Sequence, residues 1–316
     1  MASWTAVIAL LFAFCLDLWL GKPVSRWHPL ARMRGYLGWA GARIAPRKRT
    51  PSPDWLAFSA GALAWYAGAA VCVLLAWLLQ WGLLLLDPAL AGLALGALLK
   101  SMLSWRCLRL EVMKVEAALA QSPEAGREQF GRLAGRDVLE LDPIDVREST
   151  LQWLAENLVV SVVAPVFWFF VAGLPGAVFY RFANTAGAVW GHRGFRAGAD
   201  WEWAGKWAAR ADDVLTWLPA RLAAFLITAL APGWPWREMR REAGHLPSAN
   251  SGWPAAALAL ALGTRLRKPG VSVLNGTGAY PEPEHTLRAL NLAGRAVAVM
   301  LAWTCVAFVL AWERPW

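Results

Sequence analysis

GRDVLELDPIDVRESTLQWLAENLVVSVVAPVFWFF, Gly135 to Phe170, passes from a charged loop through an amphipathic helix into an apolar run. Asp142 and Pro143 read as N-cap and first helical residue, with Asp145 placed to close a capping box. From there Asp145, Glu148, Gln152 and Glu156 recur at steps of three and four and share one helix face. Leu151, Leu154 and Leu158 fall on the opposite face. The first three polar residues are expected to form a solvated face. From Leu158 to Ala172 only Ser161 and Pro165 interrupt the apolar run. Glu156 and Asn157 therefore stand at the seam of a membrane-like segment, where polar groups are costly without partners. These two are the first candidates for function.

The 316-residue composition points the same way: 58% hydrophobic, 17% charged and 22 Trp, with a mean hydropathy of +0.38. It suits a multi-pass membrane protein with Trp near the interfaces rather than an ordinary soluble domain. The net charge of +9 reads as basic cytoplasmic loops. No Lys/Arg stripe interleaved with aromatics appears, so no nucleic-acid partner is expected. Cys15, Cys72, Cys107 and Cys305 form no CxxC pair, which argues against disulfides and zinc.

Working outward, Trp4 to Leu20 is the first apolar segment, expected to stay as a helix. Residues 21 to 54 carry eight Lys/Arg and should face the cytoplasm. Trp55 to Leu86 forms one tilted span, Asp87-Pro88 turns the chain, and Ala89 to Trp105 returns. A polar segment follows, helical over Arg109 to Ala120. Leu158 to Trp190 is interrupted by Gly173-Leu-Pro-Gly176, which leaves two arms shorter than the twenty or so residues of a full span. A tight helical hairpin, re-entrant in character, fits better than one straight crossing. Val214 to Leu230 is apolar except for Arg221, Ala255 to Leu262 is too short to span, and Asn291 to Trp312 is a final span. The expected fold is an all-α, polytopic membrane helical bundle with polar loops on the cytoplasmic face, forming a single domain over 1–316.

Several residues outside the opening stretch offer chemistry. Asp17, near the end of an apolar helix, is either a buried acid facing a site or an interfacial Asp before a turn. His28 reads as a loop histidine or a site residue. Arg136 and Asp137 precede a capped helix, where a cation and a carboxylate make either a local ion pair or an anion site. Asp212 and Asp213, taken as a helix start, are placed to share a hydrated Mg²⁺. Asp213, Trp217 and Arg221 repeat every four residues, and an arginine in an apolar helix is usually paired or substrate-facing. Ser248, Asn250, Ser251 and Gly252 before Trp253 make a small polar loop able to bind phosphates or amides. P-loop, HExxH and GxGxxG patterns are absent.

In order, DxxxGxPxxxxHP (Asp17 to Pro29), GRD (Gly135 to Asp137), AEN with APxFW (Ala155 to Trp168), Asn184-Thr185, RxDDVxxWxPARL (Arg210 to Leu222) and SxNSGWPxA (Ser248 to Ala256) resemble one family. It is the CobD/CbiB family of cobalamin-biosynthesis membrane proteins, the adenosylcobinamide-phosphate synthases. The resemblance implies an ATP-dependent ligation of adenosylcobyric acid with (R)-1-amino-2-propanol O-phosphate at the inner membrane. It implies ATP and Mg²⁺, a corrinoid substrate and a lipid bilayer, and it is compatible with a homo-oligomer or a complex with other late cobalamin-pathway enzymes. Under it, Asp212 and Asp213 take Mg²⁺, and Arg136, Arg210 and Arg221 take phosphate or carboxylate groups. Asp17, His28, Asp137, Glu156 and Asn157 are the catalytic candidates, with Asn184, Thr185, Ser248, Asn250 and Trp253 contacting substrate. Val160-Ser161, Gly187 and Ala255 stand where the family usually has carboxylates, His192 stands in place of a tyrosine, and Ala249 interrupts an SPN core. These departures make a divergent ligand-binding or sensor protein, similar to the AmpE proteins, the alternative.

Overall fold

The computed structural model describes residues 3–20, 28–49, 53–134, 140–246, 248–270 and 272–312. Arg136 and Asp137 lie outside these residues. The described chain is almost wholly helical. Four of its helical stretches are long and apolar enough to cross a membrane: Trp55–Leu83, Pro88–Leu119, Pro143–Trp190 and Pro283–Leu310. The polytopic all-α expectation holds. The chain divides into two compact units, the first formed by Met1–Leu103, Ala164–Thr216 and Cys305–Trp316, the second by Ser104–Val163 and Trp217–Thr304.

In the first unit, α1 (Ser3–Leu20) packs on α4 (Pro88–Lys100). The contact runs through Gly92 and Gly96, spaced G-x-x-x-G. A Cβ on Gly96 would come within 2.6 Å of the Ala9 carbonyl, and one on Gly92 within 2.8 Å of Ile8. Two helices in lipid gain nothing from hydrophobicity against each other, so such close backbone approach supplies the dispersion that holds them. Between them come α2 (Pro29–Ile44) and α3 (Trp55–Leu83), whose Asp54 cap accepts from the Ala57 N–H at 2.9 Å. Leu63, Leu74, Leu75 and Trp77 of α3 remain exposed, the face a bilayer would cover.

The core of this unit gathers Met33, Leu37, Trp65, Phe182 and Trp190. Trp190 and Phe182 belong to α8 (Ala164–Trp190), and the Trp190 indole donates to the Leu37 carbonyl at 3.0 Å. The predicted break in α8 is real. Ala172 and Gly173 leave helical geometry, Gly173 at φ +65°, a conformation in which a side chain would be strained. Gln80 caps the restarted helix by accepting the Leu174 N–H at 2.8 Å. Gly176 returns so close to the Trp168 carbonyl that no Cβ would fit there. A straight helix would hold residues eight apart about 12 Å from each other, so the chain folds back as a hairpin. A two-stranded turn, β1 (Phe195–Arg196) with β2 (Ala199–Asp200), precedes α9 (Lys206–Ala229).

The second unit is built around α7 (Pro143–Leu158), which continues into a short π-helical turn at Val159–Val163. Helix α5 spans Trp105–Leu119, four residues earlier at its start than expected, and α6 (Pro123–Ala134) adds a helix the sequence reading did not separate. Val115, Phe130 and Val146 tie α5, α6 and α7 together. The short helices α10 (Trp236–Ala243) and α11 (Gly252–Leu262), the hairpin β3 (Leu266–Lys268) and β4 (Ser272–Leu274), and α12 (Pro283–Trp312) complete the elements. Eleven residues confirm that α11 is too short to span.

Candidate functional site

The polar face of α7 is not solvated, which corrects the first expectation. Asp145, Glu148 and Gln152 are 6%, 0% and 2% exposed. Leu151, Leu154 and Leu158 are buried on the other side as expected, so the helix is enclosed all round. Carboxylates in such a place need cations, and the β3 hairpin brings them. Arg265 Nε donates to Glu148 Oε1 at 2.7 Å, and the Arg267 backbone N–H reaches Oε2 at 3.2 Å. Arg267 Nε donates to Asp145 Oδ1 at 2.8 Å. Lys268 Nζ lies 3.7 Å from Glu156 Oε1. The Asp142 cap forms as read, accepting the Asp145 N–H at 2.7 Å. The Asp145 carboxylate goes to Arg267, because a buried charge gains more from a guanidinium than from closing a capping box. Asn157 Nδ2 donates back to the Trp153 carbonyl at 2.9 Å, a local helix contact.

A second cluster of this unit joins four sequence candidates. Arg221 donates to Asn250 Oδ1 at 3.1 Å and to the Ala249 carbonyl at 3.2 Å. Its guanidinium lies over the rings of Trp217 and Trp253, 4.1 and 4.6 Å from their centroids. Ser248 Oγ accepts the Asn250 and Ser251 N–H groups at 3.3 and 3.2 Å and so shapes the turn. Two indole faces and an amide fix the planar guanidinium at the entry to α11, the arrangement expected of an anion-directed arginine.

In the first unit the acidic pair separates. Helix α9 starts at Lys206, so Asp212 and Asp213 lie in its second turn rather than at a helix start. Adjacent helical residues point about 100° apart; Asp212 turns inward while Asp213 is exposed. The helix-start placement expected for the pair is thereby corrected. Asp212 Oδ1 accepts from Asn184 Nδ2 and Thr216 Oγ1, both at 3.2 Å. Enclosure pushes the Asp212 carboxyl up to about 6, with these hydrogen bonds lowering it and Asp213 adding to the rise. Gly187 makes room for it, since a Cβ there would stand 2.7 Å from Asp212 Oδ2. Among the described residues no three His, Cys, Asp or Glu side chains cluster around a metal position.

The remaining candidates scatter. Asp17 is buried within α1 rather than set in a turn, and it faces Lys100, 3.8 Å from its Oδ1. His28 caps α2, its Nδ1 accepting the Leu30 N–H at 3.3 Å. Thr185 Oγ1 donates to the Arg181 carbonyl at 2.7 Å, and Arg210 is exposed. An apolar cavity of about 530 Å³ lies between Met33, Gly68, Leu98, Leu174 and Phe182, with Arg32 on its wall. Sequence reasoning missed Lys100, Thr216, Arg265, Arg267 and Lys268. The signal for two of them was present: Arg265-Leu266-Arg267 alternates as a strand does, ahead of a Pro-Gly turn.

The family model described as CobD/Cbib protein matches residues 10–302. A cobalamin biosynthesis protein CobD from Chromobacterium violaceum is 37% identical over 316 aligned positions, covering 94% of this chain and 95% of its own. Probable cobalamin biosynthesis proteins CobD from Methanothermobacter thermautotrophicus and Thermococcus kodakarensis are each 33% identical. The first covers 91% of this chain and 93% of its own, the second 96% of both. No solved structure matches. With the motifs running in order along the same residues, the chain belongs to the CobD/CbiB family of cobalamin-biosynthesis membrane proteins.

Proposed function

We propose that this chain is an adenosylcobinamide-phosphate synthase: it joins a propionate carboxyl of adenosylcobyric acid to the amine of (R)-1-amino-2-propanol O-phosphate, driven by ATP cleavage. The observation that carries this reading is the family match over residues 10–302. The site chemistry is compatible with it. Asp212 is an enclosed carboxylate with no ion-pair partner among the described residues, held in place by an amide and a hydroxyl. That fits Mg²⁺, which takes one or two carboxylates and completes its shell with water and phosphate oxygens. Asp212 holds the ion in this reading, and Asp213 does not share it. Bound Mg²⁺ supplies charge neutralisation for the nucleotide phosphates. Arg221, fixed between two indoles, receives an anionic substrate group, and Asn250 orients it. The eight Lys/Arg of residues 21–54 favour a cytoplasmic position for that segment in this reading.

The second reading, a ligand-binding or sensor protein without ATP turnover, is favoured by Gly187, which stands at a position where the family usually carries a carboxylate. Complementation separates the two. Expressed in a strain lacking its own synthase, the chain should restore growth that depends on supplied cobyric acid. Failure to rescue, with the protein detected in the membrane, favours the sensor reading. A paired test is Gly187→Ala: the added methyl forces Asp212 aside, and a misplacement of about 1 Å costs on the order of 10²-fold in rate. Ligation near the parental rate in that variant would remove Asp212 from the site.

A further inference from the structure

Two polar side chains on α7 are left over from the ion pairs. Ser149 and Gln152 are 4% and 2% exposed. Ser149 Oγ and both Gln152 amide atoms have no hydrogen-bond partner among the described residues. Burying an amide and a hydroxyl in this state is destabilising, so their presence calls for a bound partner. Both line a cavity of about 230 Å³ with Phe130, Trp153, Glu156 and Lys268. This volume lies below the ~300–1,000 Å³ of sites for drug-sized molecules. It is too small to enclose a whole nucleotide or a corrin ring.

The wall chemistry narrows the class further. Glu156 and Lys268, 3.7 Å apart, offer one carboxylate and one ammonium. Gln152 offers two N–H donors and an acceptor, Ser149 one of each kind, while the rings of Phe130 and Trp153 suit a short aliphatic stem. A molecule that satisfies all of these carries an amine at one end, an anion at the other and few carbons between. We propose that this cavity is the amine subsite: it takes a small aminoalkyl phosphate, with its ammonium on Glu156, its phosphate on Lys268 and its oxygens on Gln152 and Ser149. The inference rests on the ligation reading above, in which such a molecule is the nucleophile.

Binding of labelled (R)-1-amino-2-propanol O-phosphate to the full chain in detergent, without ATP or corrinoid, tests it by equilibrium dialysis. Lys268→Gln should weaken binding at least about tenfold, the loss expected of a charge-assisted hydrogen bond, and leave unphosphorylated 1-amino-2-propanol nearly unaffected. Gln152→Leu should weaken binding while raising Tm by about 2–4 °C, because it removes an unpartnered buried amide. That opposition of stability and affinity distinguishes a ligand contact from a structural one. No saturable binding, or equal binding in both variants, means that the cavity holds water only and overturns the proposal. Ligation whose KM for the amine is unchanged in Lys268→Gln also overturns it, while leaving the synthase reading intact. Wild-type binding without ligation sinks the synthase reading and leaves the subsite.

Discussion

Arg265→Met should lower the thermal unfolding transition of the second unit by about 6–12 °C. Glu148 is wholly buried, and Arg265 is its closest cation, at 2.7 Å. Removing one partner of a buried pair costs about 3–5 kcal/mol, because the other charge is left uncompensated. Arg267 remains 3.8 Å from Glu148 and holds the loss near the lower end, about 3 kcal/mol. A unit of this size loses about 2–4 °C per kcal/mol. Methionine keeps most of the volume, so packing contributes little. The double replacement Glu148→Leu with Arg265→Met should recover much of the loss, since hydrophobic substitutes for a whole buried pair are often neutral or stabilising. Thermal scans in detergent, followed by near-UV circular dichroism, read both. A Tm within 2 °C of the parent for Arg265→Met would show that the pair is solvated after all.

The same pair marks how far the sequence could be read. Local rules place α7 well: the Asp142 cap, the Pro143 start, the leucine stripe and the polar face all appear as the periodicity demands. What that face meets is not local. Its cations lie 117 and 122 residues downstream on a short hairpin, and no spacing rule links a helix face to a distant strand. A run of Asp, Glu and Gln at helical steps therefore looks solvated until the partner is known. The break in α8 was legible because glycine and proline act on the backbone where they stand. Asp212 and Asp213 were misplaced for the opposite reason: the apolar run from Val214 suggested a helix start, whereas α9 begins eight residues earlier at Lys206 and turns only one of the two inward. The Arg221 cluster emerged as a set of candidates, but that Arg221 and Asn250 touch was not readable from positions 29 residues apart.

On the proposed synthase reading, Asp212→Asn should reduce ATP-dependent ligation by about 100-fold, whereas Asp213→Asn should stay within about threefold of the parent. The asymmetry follows from the helix, because only Asp212 faces Asn184 and Thr216. The amide keeps the size of the carboxylate and removes the negative charge, so folding should survive while the Mg²⁺ proposed above would lose its ligand. A bound divalent ion contributes several kcal/mol of charge stabilisation at phosphoryl oxygens, and 100-fold corresponds to about 2.7 kcal/mol of it. Raising Mg²⁺ should recover part of the rate in Asp212→Asn by mass action, since the nucleotide phosphates and water still bind the ion. Equal losses in the two variants would mean that both carboxylates reach the ion and that α9 is turned from the orientation described. Full activity in Asp212→Asn would move the metal elsewhere and leave this carboxylate a packing role beside Gly187. Measured with purified protein, saturating corrinoid and a Mg²⁺ titration, the two variants decide whether the enclosed carboxylate of the first unit belongs to the chemistry.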